Sequence, residues 1–152
     1  MADSTFVYIT YIRTTPERVW QALTDPAILR RYWVGRSQET DWKQGAPWRL
    51  LQPDGTVTDT GEILECAPPH RLAIRWRNEL RPELHAEGYS LCIMEVEAAD
   101  GGAKLTLTHT IPHEGSRLIE AVSGGWPVIL SNLKSLLETG DVVFTDWPVC
   151  GR

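Results

Sequence analysis

Apolar residues between positions 123 and 140 recur every three or four positions, the spacing of one face of an α-helix. Ser123 is the predicted N-cap, and Gly140 is the predicted residue just past the helix end, where glycine adopts a left-handed conformation at little cost. Pro127 must lie near the helix start or at a kink, because proline lacks the N–H group that an interior turn needs. The pattern predicts one amphipathic helix of about three to four turns. Its apolar face comprises Trp126, Ile129, Leu130, Leu133, Leu136 and Leu137.

The N-terminal part of the chain predicts one strand and two short helices. Residues 5–13 are rich in β-branched and aromatic side chains and predict a strand. Thr15 is the predicted N-cap of a first helix and Pro16 its first residue. Asp25-Pro26 ends that helix and begins a second one, and Gly35 marks the end of the two-helix segment. The predicted apolar positions of the two helices are Val19, Trp20, Leu23, Ile28, Leu29, Tyr32 and Trp33.

Between Gln38 and Ile111 apolar and polar residues alternate in short segments separated by turns, which predicts a run of about five or six strands. Turn signals lie at Pro53-Asp54-Gly55 and at Asp100-Gly101-Gly102, and the second is typical of a hairpin. Residues 78–87 are charged, include a proline and are predicted to form a loop. Strands followed by a covering helix indicate the α+β class. The predicted strands include residues 48–50, 57–66, 72–77, 88–98 and 104–111.

The alternation also predicts which side chains face the helix. On the sheet they are Trp48, Leu50, Leu72, Ile74, Trp76, Cys92, Met94, Val96, Leu107 and His109, and the helix adds Trp126, Ile129, Leu130 and Leu133. Trp48, Trp76 and Trp126 lie far apart in sequence, so only a shared interior brings them together. Either these indoles line a cavity that takes an aromatic ligand, or they pack against one another and fill the core.

Composition bounds the class of protein. The chain has 152 residues, of which 42% are apolar and 23% charged, as in ordinary globular domains. We predict one domain over 1–152, with its core at about 6–140 and a C-terminal tail at 141–152. Seven tryptophans are unusual for this length, and they favour a large apolar interior lined by several of them.

Charge and cysteine content exclude several functions. A net charge of −5 argues against nucleic-acid binding, which requires a basic face. The three cysteines, Cys66, Cys92 and Cys150, are widely spaced and form no C-x-x-C pair, so neither a disulfide framework nor a zinc site is predicted. The sequence has no signal-peptide pattern and no apolar run of membrane-spanning length. We therefore expect a cytoplasmic protein with no metal or other cofactor.

Four motifs, taken together and in this order, resemble the helix-grip, START-like superfamily (SRPBCC). Within it they are similar to the bacterial homologues of the activator of heat-shock-protein-ninety ATPase. They are T-P-E-R-V-W-Q-A-L-T-D-P at 15–26 with Tyr32-Trp33 behind it, residues 45–50 leading into P-D-G at 53–55, G-E-I-L-E-C-A-P-P-H-R-L-A-I-R-W at 61–76, and L-T-L-T-H-T at 105–110 followed by G-W-P-V-I-L-S-N-L-K-S-L-L-E-T-G at 125–140. The resemblance extends from about residue 6 to residue 140.

The resemblance implies a curved antiparallel sheet of about six or seven strands around the C-terminal helix, with two short helices after the first strand. It also implies a cavity for an apolar ligand between the sheet and the helix, and such sites are mostly apolar with a few polar groups. The expected cavity residues are Trp33, Trp48, Leu50, Ile74, Trp76, Met94, Leu107, His109, Trp126, Ile129, Leu130 and Leu133.

His109 is the one titratable side chain on the predicted inward face. We favour a core histidine bonded to backbone; the alternative is a group that orients a ligand or donates a proton, which its ordinary pKa near 6.5 suits. His113 lies four residues further along the strand, roughly 13 Å away and too far to share a metal. No nucleotide-binding or hydrolase motif is present. No catalytic residue is therefore predicted.

Three classes of function remain. The favoured one is a non-enzymatic domain that binds a hydrophobic or aromatic small molecule, including a lipid. A cyclase- or hydrolase-like enzyme that uses the same cavity is the second, and it would need polar groups beyond His109. The third, implied only by the family resemblance, is a partner that regulates a chaperone ATPase in the stress response. The sequence does not decide whether the protein forms a homodimer. Fold alone does not decide among these functions either.

Overall fold

The computed structural model of the chain describes residues 3–148, which form seven strands and four helices. In chain order they are β1 (Ser4–Ile12), α1 (Pro16–Thr24), α2 (Pro26–Tyr32), β2 (Ser37–Glu39), β3 (Pro47–Leu51), β4 (Val57–Ala67), β5 (Arg71–Asn78), α3 (Pro82–His85), β6 (Ser90–Ala99), β7 (Gly102–Ile111) and α4 (Arg117–Thr139). Cys150 and the last residues of the predicted tail lie outside the described residues.

All seven strands belong to one curved antiparallel sheet in the order β1-β7-β6-β5-β4-β3-β2. Each of the strands β2 to β6 pairs with the next strand in sequence. Strand β1 instead pairs with β7, so that Ser4 lies opposite Ile111 at one end and Ile12 opposite Ala103 at the other. The predicted α+β helix-grip fold, with two short helices after the first strand, is confirmed.

The caps of α1 and α2 are the predicted ones. Thr15 Oγ1 accepts a hydrogen bond from the N–H of Arg18 at 3.2 Å, and Pro16 follows as the first helical residue. Asp25 ends α1 through its own N–H and begins α2 by accepting from the N–H of Ala27 at 2.9 Å. One aspartate therefore serves both helices and fixes the corner between them.

The long helix α4 begins earlier than predicted. Its N-cap is Ser116, whose Oγ accepts from the N–H of Ile119, and not Ser123, which lies inside the helix. Gly124, Gly125 and Pro127 in the helix interior obscured the first turns, because each of these residues is a poor helix former. Burial of Leu118 and Ile119 under the sheet compensates for that cost. Gly140 ends the helix with φ of 88°, as predicted.

The segment 78–87 is not a plain loop, because Pro82–His85 forms the short helix α3. Leu84 anchors this helix, since its side chain is buried in a small cluster with Ile111, Leu118 and Ile119. The charged residues around Leu84 made the segment resemble a loop in sequence. The helix matters for function because it forms one wall of the pocket described below.

The core lies between the concave face of the sheet and the inner face of α4. All the sheet residues predicted to face inward are buried, and so are the four helix residues predicted to meet them. Within the described residues, no helix is both long and apolar enough to cross a membrane.

Candidate functional site

Four tryptophans from separate elements meet at the centre of the molecule. The ring centroids of Trp48 and Trp76 are 4.4 Å apart, those of Trp76 and Trp126 are 5.6 Å apart, and those of Trp33 and Trp126 are 5.3 Å apart. Gly61 makes the first of these contacts possible, because it lies opposite both Trp48 and Trp76 on the intervening strand and carries no side chain. We call Trp33, Trp48, Trp76 and Trp126 the tryptophan cluster.

Three indole N–H groups of the cluster donate to buried acceptors. Trp48 Nε1 donates to Gln38 Oε1 at 2.9 Å, Trp76 Nε1 donates to Asp59 Oδ2 at 2.8 Å, and Trp126 Nε1 donates to His109 Nδ1 at 3.1 Å. A buried polar group without a partner is costly, so these bonds hold each ring in one orientation. The cluster is therefore preorganised.

His109 is fully buried, and both of its ring nitrogens are engaged. Because Nδ1 accepts from Trp126, the proton of the neutral ring lies on Nε2, which donates to Ser90 Oγ at 2.8 Å. Ser90 Oγ in turn donates to the carbonyl of Trp76 at 2.9 Å. Burial lowers the pKa of His109 to about 3, so the ring is neutral at physiological pH. The expectation that its partners would be backbone groups is wrong: they are the side chains of Ser90 and Trp126.

A pocket of about 220 Å³ opens beside the tryptophan cluster. Three residues of the cluster, Trp33, Trp76 and Trp126, form one wall of it, and Asp59 also lines it. Aliphatic side chains from β3, α3 and α4 complete the apolar lining; they are Leu50, Leu84, Leu118, Val122 and Ile129. An apolar pocket with a few polar groups is the usual form of a small-molecule site.

Asp59 is a buried acidic residue of this pocket that sequence reasoning missed. It is only 6% exposed, and its carboxylate accepts from Thr58 Oγ1 at 2.7 Å as well as from Trp76 Nε1. Burial raises the pKa of the Asp59 carboxyl above its ordinary value, although these hydrogen bonds and the charge of Arg36 act in the opposite direction. The alternation along β4 was the available signal, because it places Asp59 on the same face as Gly61 and the buried Ile63.

The C-terminal segment folds back onto the pocket and contributes Trp147 to its rim. The fully buried Asn132 of α4 holds the segment in place: its Nδ2 donates to the carbonyl of Phe144 at 2.9 Å, and its Oδ1 accepts from the N–H of Phe144 at 2.8 Å. The Arg36 guanidinium lies over the Trp147 ring at 5.2 Å. Part of the predicted tail is thus a component of the site.

Comparison with known proteins identifies the family. A family model described as "Activator of Hsp90 ATPase homolog 1-like protein" matches residues 13–138. The chain belongs to this family. No protein of curated function matches the sequence of this AHSA1-like domain.

Solved structures share the fold of this AHSA1-like domain at low identity. CalU16 from Micromonospora echinospora is 24% identical, with a TM-score of 0.72 over 90% of this chain and 77% of that chain. PFC0360w, an HSP90 activator from Plasmodium falciparum, is 26% identical, with a TM-score of 0.71 over 88% and 95% of the two chains. The Aha1 dimer from Colwellia psychrerythraea is 18% identical, with a TM-score of 0.71 over 90% and 98%. These likenesses establish the fold.

The residues expected to line the cavity of this AHSA1-like domain divide into two sets. Trp33, Leu50, Trp76, Trp126 and Ile129 line the pocket. Trp48, Ile74, Met94, Leu107, His109, Leu130 and Leu133 are packed in the core. Ile74, Met94 and Leu130 border a separate void of about 10 Å³, which is large enough for one water molecule at most. The deep interior is therefore filled, and the larger space lies to one side of the cluster.

Proposed function

We propose that this AHSA1-like domain binds a small aromatic or hydrophobic molecule in the pocket beside the tryptophan cluster. The observation that carries the proposal is the wall formed by Trp33, Trp76 and Trp126 around a space of about 220 Å³. Offset or edge-on stacking of a ligand ring on an indole contributes about 0.5–1.5 kcal/mol beyond burial. Because hydrogen bonds already fix the rings of Trp76 and Trp126, the site loses little conformational freedom on binding.

The size of the pocket limits the ligand. Drug-sized molecules occupy sites of about 300–1,000 Å³, so a space of about 220 Å³ fits a molecule of roughly one to three rings.

Binding alone requires no catalytic group, and we propose a binding protein rather than an enzyme. A cytoplasmic location is part of the proposal, since Cys66 and Cys92 are free thiols.

Filling the pocket from its rim tests this function. Val122 lies on α4 at the pocket wall and is only partly buried, so Val122→Phe should occupy the space without emptying the core. The probe is 2-methoxynaphthalene, a neutral aromatic molecule of two rings. We expect its affinity, measured by calorimetry or ligand-observed NMR, to fall at least about tenfold in the variant, since a blocked pocket loses both burial and stacking. Binding to the natural sequence should also change its tryptophan fluorescence.

The matched control is Val7→Phe, which makes the same change at an exposed site on the outer face of β1. It should leave the affinity unchanged. Equal binding to the natural sequence and to Val122→Phe would place the probe elsewhere on the protein and contradict the proposal. Absence of binding to the natural sequence would also contradict it.

Protein binding through β1 is a second candidate function. Val7, Ile9 and Tyr11 are 53%, 49% and 57% exposed and form an apolar row on an edge strand of the described sheet. Exposed apolar edges of this kind favour association with another chain. A dimeric Aha1 and an HSP90 activator share the fold, which supports either a second copy or an Hsp90-type chaperone as the partner. Sedimentation of the protein alone and with such a chaperone, for the natural sequence and for Ile9→Lys, decides this question.

A further inference from the structure

Asp59 lines the pocket, and its carboxylate has acceptor capacity to spare. Its Oδ1 accepts from Thr58, and its Oδ2 accepts from Trp76 at 2.8 Å and more distantly from Asn78 Nδ2 at 3.4 Å. An ionised carboxylate has about four acceptor positions on its two oxygens. The described donors use two of these positions at short distance. Asp59 can therefore accept another hydrogen bond from a molecule in the pocket that it lines.

The charges around the pocket indicate what kind of donor fits. Within residues 3–148, none of the ion pairs includes Asp59, so its buried charge is stabilised by hydrogen bonds and by the more distant Arg36. Arg36 and Arg81 both lie on the pocket lining, and Arg81 also pairs with Glu83. Because Glu83 pairs with Arg81 and Arg36 offsets Asp59, the lining has no net negative charge that would attract a positively charged ligand. A neutral O–H donor on an apolar body fits both the carboxylate and the aromatic wall.

We infer that Asp59 recognises the ligand by accepting a hydrogen bond from it, and that the ligand is a neutral aromatic molecule with a phenolic hydroxyl group rather than a plain hydrocarbon or lipid chain. The inference rests on the proposed function, because it concerns the same pocket. Hydrogen bonds to charged groups are about twice as strong as those between neutral groups. The carboxylate thus adds selectivity to the binding that the tryptophans provide.

The variant Asp59→Asn separates ligand recognition from structural support. An asparagine can still accept from Trp76 through its Oδ1, and its amide group can donate to Thr58 Oγ1. The hydroxyl of Thr58 can then donate to the carbonyl of Leu50, which already lies 3.3 Å away. We therefore expect Asp59→Asn to fold. The substitution replaces the oxygen on the Thr58 side, which would accept from the ligand, with an amide group that can only donate.

The experiment compares 2-naphthol with 2-methoxynaphthalene, which has the same ring system but no O–H donor. The natural sequence should bind 2-naphthol at least about tenfold more tightly than the ether. In Asp59→Asn this ratio should fall close to one, because 2-naphthol loses the acceptor that distinguishes it from the ether. Glu97→Gln is the control, because it removes a carboxylate whose side chain is 65% exposed and which lies outside the pocket lining. Glu97→Gln should keep the same preference for 2-naphthol over the ether as the natural sequence.

Each outcome bears on one of the two proposals. A ratio near one in the natural sequence, or a full ratio in Asp59→Asn, overturns the role of Asp59 while the pocket function stands. Failure of both probes to bind overturns the pocket function and the inference with it. Should Asp59→Asn not fold, the carboxyl ¹³C signal of Asp59 in the natural sequence gives the second measurement. That signal should shift with 2-naphthol and not with the ether, and equal shifts overturn the inference.

Discussion

Gly61 determines whether Trp48 and Trp76 can meet, and this contact depends on the absence of one methyl group. A Cβ atom at Gly61 would come within 1.6 Å of the carbonyl oxygen of Arg75 on β5. Because the clashing atom is backbone, no rotation of a side chain relieves the overlap. Strand β5, which carries Trp76, would have to move away from β4.

We therefore expect Gly61→Ala to lower the free energy of unfolding by about 3 kcal/mol or more. Gly124→Ala is the control, because no atom lies within 4 Å of the position of the added Cβ and the site is helical. It should raise the free energy of unfolding by about 0.4–1 kcal/mol. Urea denaturation measures both. Similar effects of the two substitutions would contradict the close approach at Gly61.

The buried ring of His109 should make stability depend on pH in a defined direction. Burial lowers the pKa of His109 in the folded protein to about 3, whereas the unfolded chain has the ordinary value near 6.5. The unfolded state therefore binds the proton first as the pH falls. This contribution to stability is complete above pH 6.5 and is lost progressively towards pH 3.

His109→Gln tests this coupling. At pH 7 the variant should be about 1–3 kcal/mol less stable, because Ser90 and Trp126 lose a well-placed partner. Between pH 7 and pH 5 the difference from the natural sequence should shrink by about 2 kcal/mol, since only the natural sequence loses the histidine contribution. Denaturation at the two pH values measures it. A difference that stays constant or grows in acid would contradict a neutral buried ring.

Sequence reasoning at this scale found the residues that follow the alternation and missed those whose role depends on a neighbour. His109 was recognised because it stands between apolar inward positions. Asp59 lies on an equally inward position, but its strand is mostly polar, so the alternation there is a weak signal. The close approach of the chains at Gly61 cannot be inferred until the register on both sides of β4 is known.

Among the elements, α4 depends on a cap assembled from three segments. Ser116 Oγ accepts from Ile119 N at 3.1 Å and donates to Glu87, whose carboxylate also accepts from the N–H of Arg117 at 2.9 Å. The Ser116 N–H donates to Ser4 Oγ on β1. Burial acts to raise the pKa of Glu87, but the bonds from Ser116 and the helix N–H groups lower it below its ordinary value. A negative charge at a helix N-terminus is favourable.

We expect Ser116→Ala to lower the free energy of unfolding by about 1 kcal/mol, within the range of about 0.5–2 kcal/mol for lost caps. Ser123→Ala should change it by less than about 0.5 kcal/mol, because Ser123 lies inside the helix and bonds only to the Glu120 carbonyl behind it. Thermal or urea denaturation compares the two. The reverse order would indicate that the helix begins at Ser123.

The two ends of α4 differed in how well they could be predicted. Gly140 has a positive φ, and a glycine after an amphipathic run is a strong local signal. The start was hidden because its partners, Glu87 and Ser4, are distant in sequence and its first turns contain weak helix formers. The caps of α1 and α2, by contrast, are built from adjacent residues and were predicted correctly.

At the scale of the whole molecule, the order of elements was predictable and the shape of the space between them was not. The alternation of apolar and polar residues and the turn signals specify the strands, and the family resemblance supplies their arrangement. Whether an interior is filled depends on the fit of many side chains. Four tryptophans fill the centre, so the space lies beside them, where α3 and Trp147 form walls that no local pattern indicated.

The pairing of β1 with β7 has a consequence for the order in which the molecule assembles. Strands β2 to β7 join sequence neighbours and can form by successive hairpins, whereas β1 must close a loop that includes almost the entire sheet. Loop closure over a long segment is entropically costly, and folds rich in such contacts form slowly. We therefore expect β1 to join last, with the free edge of β7 exposed in the meantime. At high concentration that edge can accept β1 from a second chain, so the slowest step in folding is also the step at which two copies can exchange a strand.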